Sequence, residues 1–242
     1  MKILLMLRDD FYDANPKFIE EANQLGEVKI LYTDHGIDKD QLITEVKDVE
    51  IIAVAVVKID REVIDAAPKL KYIIKYGAGY DNIDVNYADQ KGISVTNASG
   101  VNAQSAADLA FGLMLSAARN IPNKDREIKS QKWELSMGYE IYRKKLGIIG
   151  FGAIAKALAK RAAGFDMDIL IYTHHKDEEA AKYLNAAFVE KEDIFTLSDF
   201  IIIATSLNEN NRYIVNKHTL NLMKPTAFTS ISHVARSLKR KI

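Results

Sequence analysis

Residues 145–160, Lys-Leu-Gly-Ile-Ile-Gly-Phe-Gly-Ala-Ile-Ala-Lys-Ala-Leu-Ala-Lys, constrain the fold more than any other stretch of the chain. A short apolar run, Leu146–Ile149, leads into a glycine-bearing bend, and an alanine-rich segment with helical character follows over 153–163. Gly150, Gly152 and Ala155 stand at the G-x-G-x-x-G/A spacing. In that pattern the first glycine permits a sharp turn and the second lets backbone approach a pyrophosphate. The small third residue lets the helix pack close to the strand. The free N–H groups of the helix N-terminus then face the anion, which brings Phe151, Ala153 and Ile154 into the candidate site beside the glycines. Glycine pairs are common in turns, so the meaning comes from context. With a strand before it and a helix after it, the bend reads as a dinucleotide site.

The rest of the chain repeats the same grammar. In the first half, the apolar runs Ile3–Leu7, Val28–Tyr32, Ile51–Val56, Tyr72–Ile74 and Ile93–Thr96 read as buried parallel strands. Helix-period segments near 16–25, 39–48, 61–67 and 84–91 separate them. A long, small-residue helix is expected over Asn102–Arg119. After it come strands at 146–149, 168–172, 187–189 and 200–204, alternating with helices at 153–163, 177–184 and 192–197. The fold class is therefore α/β, with two doubly wound parallel sheets. Domain boundaries are drawn at 1–98, 99–228 and a basic tail, 229–242.

Composition narrows the partners. The 242 residues are 48% hydrophobic, and 33 basic residues balance 33 acidic ones. No global field steers such a chain to nucleic acid or to an anionic membrane. Cysteine is absent, which excludes disulfides and thiolate metal sites, and no metal ligand set is assigned. The N-terminal apolar run is too short for a signal peptide or a membrane span, so a soluble, cytoplasmic protein is expected.

Five βα units in the first half, with Asp9 and Asp10 after the first strand, invite comparison with a phosphoacceptor signalling domain. That chemistry needs an aspartate at the end of the third strand. Here Asp60 is displaced into the start of the next helix, where it reads as an N-cap.

Four blocks together resemble the D-isomer-specific 2-hydroxyacid dehydrogenase family: Tyr76-Gly-Ala-Gly-Tyr-Asp-Asn-Ile-Asp84, Val95-Thr-Asn-Ala-Ser-Gly-Val-Asn102, Ala106-Ala-Asp-Leu109 and the 146–155 bend. Trp133 falls where the family often has a tryptophan. Within the family, Ile171–Lys176 and the residues after it look most like glyoxylate/hydroxypyruvate reductases. The resemblance implies a flavodoxin-like substrate domain, a hinge, a Rossmann coenzyme domain, and interconversion of a 2-keto acid with a D-2-hydroxy acid. It also implies a homodimer, with the 102–119 helix between subunits. Gly77, Ala78 and Gly79 make physical sense as a cradle for the substrate carboxylate, since glycines bare the backbone N–H groups at a strand's C-terminal end. Asn102 lies near the nicotinamide by resemblance, although by itself it reads as a helix N-cap. Thr205, Ser206, Leu207 and Asn211 line the adenosine and pyrophosphate side by the same resemblance.

Coenzyme choice is partly legible. NAD enzymes usually place a carboxylate at the end of the second strand, roughly twenty residues after the glycines, to bind the ribose 2′-hydroxyl. Thr173 takes that place here, followed by His174, His175 and Lys176. A neutral hydroxyl removes the charge that would repel a 2′-phosphate, so NADP is favoured over NAD.

Past Phe228 the sequence departs from the family pattern. Relatives continue into an Asn-x-(Ala/Ser)-Arg-Gly segment whose Arg binds substrate, but an ungapped alignment puts Val234 in that place. Arg236 comes two residues late, and the family's later Glu and His have no counterpart among His35, His174, His175, His218 and His233. No catalytic residue is therefore assigned, and the expectation is a C-terminally incomplete, truncated or frame-shifted coenzyme domain of poor activity. The alternative reading is a non-catalytic nucleotide-binding or subunit-pairing protein of the same descent.

Overall fold

The structure, a computed structural model, describes residues 1–205 and 211–231. The chain divides into two compact units, Met1–Val101 and Asn102–Ile242.

In the first unit, strands β1 (Lys2–Met6), β2 (Glu27–Ile30), β3 (Ile51–Val54), β4 (Tyr72–Lys75) and β5 (Ser94–Asn97) form one sheet in the order β2-β1-β3-β4-β5. Every pairing is parallel. This is the flavodoxin-like order, in which the strand sequence reverses between β1 and β3. The core on one face is built from Leu4, Met6, Ile52, Val54 and Ile73, packed against Leu42, Val46, Val63 and Ile64 of the covering helices. Ile3, Leu5 and Leu7 point to the other face, against Tyr12. The period-2 alternation of the strands sets this division.

Three helices of this unit begin with aspartates that serve as N-caps. Asp38 precedes α3 (Lys39–Glu45), Asp60 precedes α4 (Arg61–Asp65) and Asp84 precedes α5 (Val85–Gln90); each side chain accepts a first-turn N–H. Two helices precede them. α2 (Pro16–Leu25) was legible, but α1 (Asp9–Ala14), a single short turn after β1, was not. Asp9 accepts the Thr33 N–H at 3.0 Å, which ties that turn to the end of β2.

The second unit opens with α6 (Ala103–Ala118) and α7 (Ile121–Lys129). Its sheet comprises β6 (Lys145–Ile149), β7 (Asp168–Tyr172), β8 (Ala186–Phe188), β9 (Phe200–Ile203) and β10 (Phe228–Ile231), ordered β10-β9-β6-β7-β8 and parallel throughout. Helices α8 (Ala153–Ala163), α9 (Glu178–Tyr183), α10 (Lys191–Leu197) and α11 (Lys217–Leu222) connect it. The reversal falls between β6 and β9, the Rossmann switch point. Small residues let two helices pack tightly: Ala107, Ala110, Phe111 and Met114 of α6 share a core with Ala155, Leu158, Ala159 and Ala162 of α8. Arg161 locks the pair by reaching Asp108 at 2.5 Å and Gln104 at 3.1 Å.

Two differences from the sequence reading stand out. α7 was not anticipated, because its 121–129 segment is polar on most sides and buries no residue. Strand β10 runs through Ile231, so it crosses the boundary drawn at Phe228. Phe228 stacks on Phe200 with ring centroids 5.4 Å apart, and the parallel ladder continues past it through Thr229. Among the described residues no helix is long and apolar enough to cross a membrane.

Asp199 holds the edge of this sheet opposite the bend. Its carboxylate accepts the Lys145 N–H at 2.9 Å and pairs with Lys224 at 2.8 Å. Burial by itself would raise its pKa, but these two partners outweigh burial and hold it below the ordinary value of 3.8. A depressed carboxylate pKa contributes stability that is present above the unfolded value and lost as pH falls through the folded one. Asp199→Asn is therefore expected to cost about 1–2 kcal/mol near neutral pH. In urea titrations, the gap from the parent chain should close as pH drops below about 4.

Candidate functional site

The bend after β6 is built as its glycines require. Gly150 adopts φ +99, and its N–H donates to the Tyr172 carbonyl at 2.8 Å. A Cβ there would sit 2.7 Å from the Ala204 carbonyl oxygen and 2.9 Å from the Thr205 Cβ, so only glycine fits. Gly152 is different. Its backbone is extended at φ −81, ψ −169, and a Cβ would meet nothing within 4 Å among the described residues. It occupies the N-cap of α8 and offers no side chain to cap it.

Elsewhere in this unit, Asp177 caps α9 and Asn216 caps α11. At α8 the N–H groups of residues 151–154 find no acceptor among the described residues. Phe151 is buried, Ala153 is exposed and Ile154 is half-buried. An uncapped helix N-terminus under open space suits a pyrophosphate, so the residues present fit a dinucleotide.

At the end of β7, Thr173 is half-buried and its hydroxyl is bonded with the backbone of His175 at 3.3 Å. His174 and His175 are exposed, and the His174 ring meets Tyr172 edge-on at 5.6 Å. Two cations border this turn: Lys176, named in the sequence, and Lys156, which sequence reasoning missed. Lys156 of α8 pairs with Asp177 at 2.5 Å, and Lys176 sits over the Phe188 ring at 5.5 Å. The ammonium of Lys156 holds the Asp177 carboxyl below its usual range. At the end of β9, Asn211 reaches the Thr205 hydroxyl at 3.4 Å, so these two candidates come together. Ser206 and Leu207, like His233 and Arg236, lie outside the described residues.

Asn102 corrects one expectation. It precedes α6 but makes no capping hydrogen bond, because ψ 10 departs from the extended backbone that turns a cap side chain onto the first N–H groups. The side chain is exposed at the start of the second unit. His35 and His218 are also exposed, His35 in a turn after β2 and His218 in the first turn of α11.

In the first unit, the Gly77-Ala78-Gly79 loop follows β4 directly. Its carbonyls are spoken for: Gly77 accepts the Ala98 N–H at 3.1 Å and Ala78 accepts the Asn97 amide at 2.6 Å. The N–H groups of Gly77, Ala78 and Gly79 find no acceptor among the described residues. Gly77 has φ +129. Engaged carbonyls beside N–H groups that lack a described acceptor are the pattern that suits an anion. Lys75, just before the loop, was also missed in the sequence. It lies two residues after buried Ile73 in a strand of alternating exposure, so the period-2 rule carried the signal.

A family model described as "D-isomer specific 2-hydroxyacid dehydrogenase, NAD binding domain" matches residues 111–237, past Phe228. The glyoxylate reductase of Pyrococcus furiosus is 39% identical over 211 residues, covering 83% of this chain and 63% of that protein. The chain thus spans less than two-thirds of that relative's length. The glyoxylate reductase of Pyrococcus horikoshii is 39% identical over 237 residues, covering 94% of this chain and 70% of its own. Among solved structures, a glyoxylate reductase from Paecilomyes thermophila superposes with a TM-score of 0.86 at 26% identity, covering 98% of this chain and 75% of that one. The bend, the switch-point topology and these likenesses agree: the chain belongs to the D-isomer specific 2-hydroxyacid dehydrogenase family.

Proposed function

We propose that this chain binds NADP(H) in preference to NAD(H) at the 150–155 bend. On the same reading it receives a small 2-keto or D-2-hydroxy acid of the glyoxylate or hydroxypyruvate kind on the 77–79 loop. The observation that carries the coenzyme part is the uncapped N-terminus of α8 at Gly152, where a Cβ would meet nothing within 4 Å among the described residues. Thr173, in place of a carboxylate, carries the preference. A 2′-phosphate there meets a hydroxyl, two exposed histidines and Lys176 rather than a repelling charge.

When bound, the nicotinamide supplies the hydride for the carbonyl carbon. The contribution of this chain's residues is positional. Free N–H groups of residues 151–154 would hold the pyrophosphate, Thr205 and Asn211 would border the adenosine side, and Asn102 would lie near the nicotinamide. The N–H groups of 77–79 would orient the acid through its carboxylate.

The test is a pair of dissociation constants, for NADPH and NADH, measured with and without glyoxylate. Tighter NADPH is expected, and tighter NADH would overturn the preference.

A homodimer belongs to the same proposal. Leu109 and Leu113 on α6, and Trp133, Leu135 and Met137 after α7, are exposed apolar side chains in the second unit. Leu135 and Met137 are 94% and 95% exposed, apolar side chains that a second subunit would cover. Sedimentation of the intact chain is expected to give a dimer, and Leu135→Asp with Met137→Asp a monomer.

A further inference from the structure

We infer that Lys75 is a positioning residue for the substrate carboxylate, a buried cation placed beside the Gly77–Gly79 loop. The inference rests on the reading of that loop as the carboxylate cradle and adds a charge to it.

Lys75 is 8% exposed, the only buried charged side chain among the described residues. Its ammonium donates to the Ala55 carbonyl, an acceptor it shares with the Asn82 amide at 3.5 Å. No carboxylate of the described residues lies within ion-pairing distance of it. One neutral acceptor leaves two of the three ammonium protons without a described partner.

Burying a charge on such terms is costly, and a methionine would fill the same space without the cost. The stem runs where the charge can be used. Its Cε lies 3.9 Å from the place a Gly77 Cβ would take, beside the loop whose three N–H groups have no acceptor among the described residues. A carboxylate seated on those N–H groups would face a cation that no described carboxylate ion-pairs, although Asp81, whose Oδ1 lies 3.7 Å from the place a Gly79 Cβ would take, acts on it at longer range. The ligand class is therefore a small monoanion of the 2-keto acid type, held by backbone dipoles and by Lys75.

Burial pushes the Lys75 pKa below its usual 10.5, and Asp81, which pushes it back up, is the one titratable group whose charge reaches it. The anion site should therefore weaken at alkaline pH as Lys75 loses its proton.

The experiment is an NMR titration of the full chain with oxamate, a non-reducible 2-keto acid mimic, reading the Gly77 and Gly79 amides. It is run on the parent chain and on Lys75→Met from neutral to alkaline pH, alongside thermal melts. Three results are expected together: shifts at both glycines in the parent chain, at least fivefold weaker oxamate binding in the variant, and a melting temperature no lower than the parent's. The alkaline loss of affinity should appear in the parent and vanish in the variant. Less than fivefold weakening, or affinity and melting temperature falling together, overturns the role given to Lys75. A parent chain whose glycine amides ignore oxamate overturns the cradle itself, and that failure is visible before any substitution is made.

Discussion

Gly152→Val is expected to weaken NADPH binding by about a hundredfold or more, some 2.7 kcal/mol, while the second unit unfolds almost where it did before. The two halves of that expectation come from one geometry. Valine adopts the extended backbone of Gly152 without strain, and its Cβ meets no atom of the described residues within 4 Å. The structural cost is that of a poor N-cap, about 1 kcal/mol at most. The space valine fills, however, is the space above the free N–H groups of α8, where a pyrophosphate must approach. Gly150→Val should behave oppositely and damage the unit itself. Its φ of +99 and its 2.7 Å approach to the Ala204 carbonyl leave no room for any side chain. Coenzyme titrations and urea melts on the two variants separate an occupancy glycine from a folding glycine. Full NADPH affinity in Gly152→Val would place the coenzyme elsewhere.

Thr173→Asp is expected to invert coenzyme preference, moving the ratio of NADPH to NADH dissociation constants by about a hundredfold toward NADH. The new carboxylate would stand at the C-terminal end of β7, where it repels a 2′-phosphate and accepts a hydrogen bond from an unsubstituted ribose. The parent turn carries no free carboxylate to oppose it, since Asp177, the next acidic residue, is engaged by Lys156 at 2.5 Å. Among the described residues the Thr173 hydroxyl bonds only within its own turn, to His175, so its replacement disturbs little else there. Dissociation constants for both coenzymes on both chains decide it. A ratio unchanged within about threefold would remove the adenosine ribose from this strand end.

Much of the architecture was legible because the central strands are buried on both faces and read as plain apolar runs. Ile51–Val54 and Phe200–Ile203 are examples, and helix α8 fell on the residues expected, 153–163. What escaped was short or local. α1 is a six-residue turn after β1, and α7 is polar around most of its circumference, so neither carries the periodicity of a packed helix. β10 escaped in part because its sequence changes character at Thr229, although backbone pairing with β9 continues regardless of side chain. Of the candidate site, Gly77 and Gly150 stand where a positive φ restricts residue choice, whereas Gly152 was read from the spacing alone. Lys75, Lys156 and Asp177 were not singled out, because a charged residue declares its partner only once tertiary structure brings one close, or fails to. Asn102 shows the reverse: a good capping residue in the right position whose side chain makes no cap.

The central claim is that a dinucleotide sits on the bend between β6 and α8. Amide hydrogen exchange of the parent chain, with and without saturating NADPH, tests it most directly. Slowed exchange is expected at residues 151–154, whose N–H groups have no acceptor among the described residues of the free chain. Binding that leaves those amides exchanging at their original rate, or no binding at all, would contradict it.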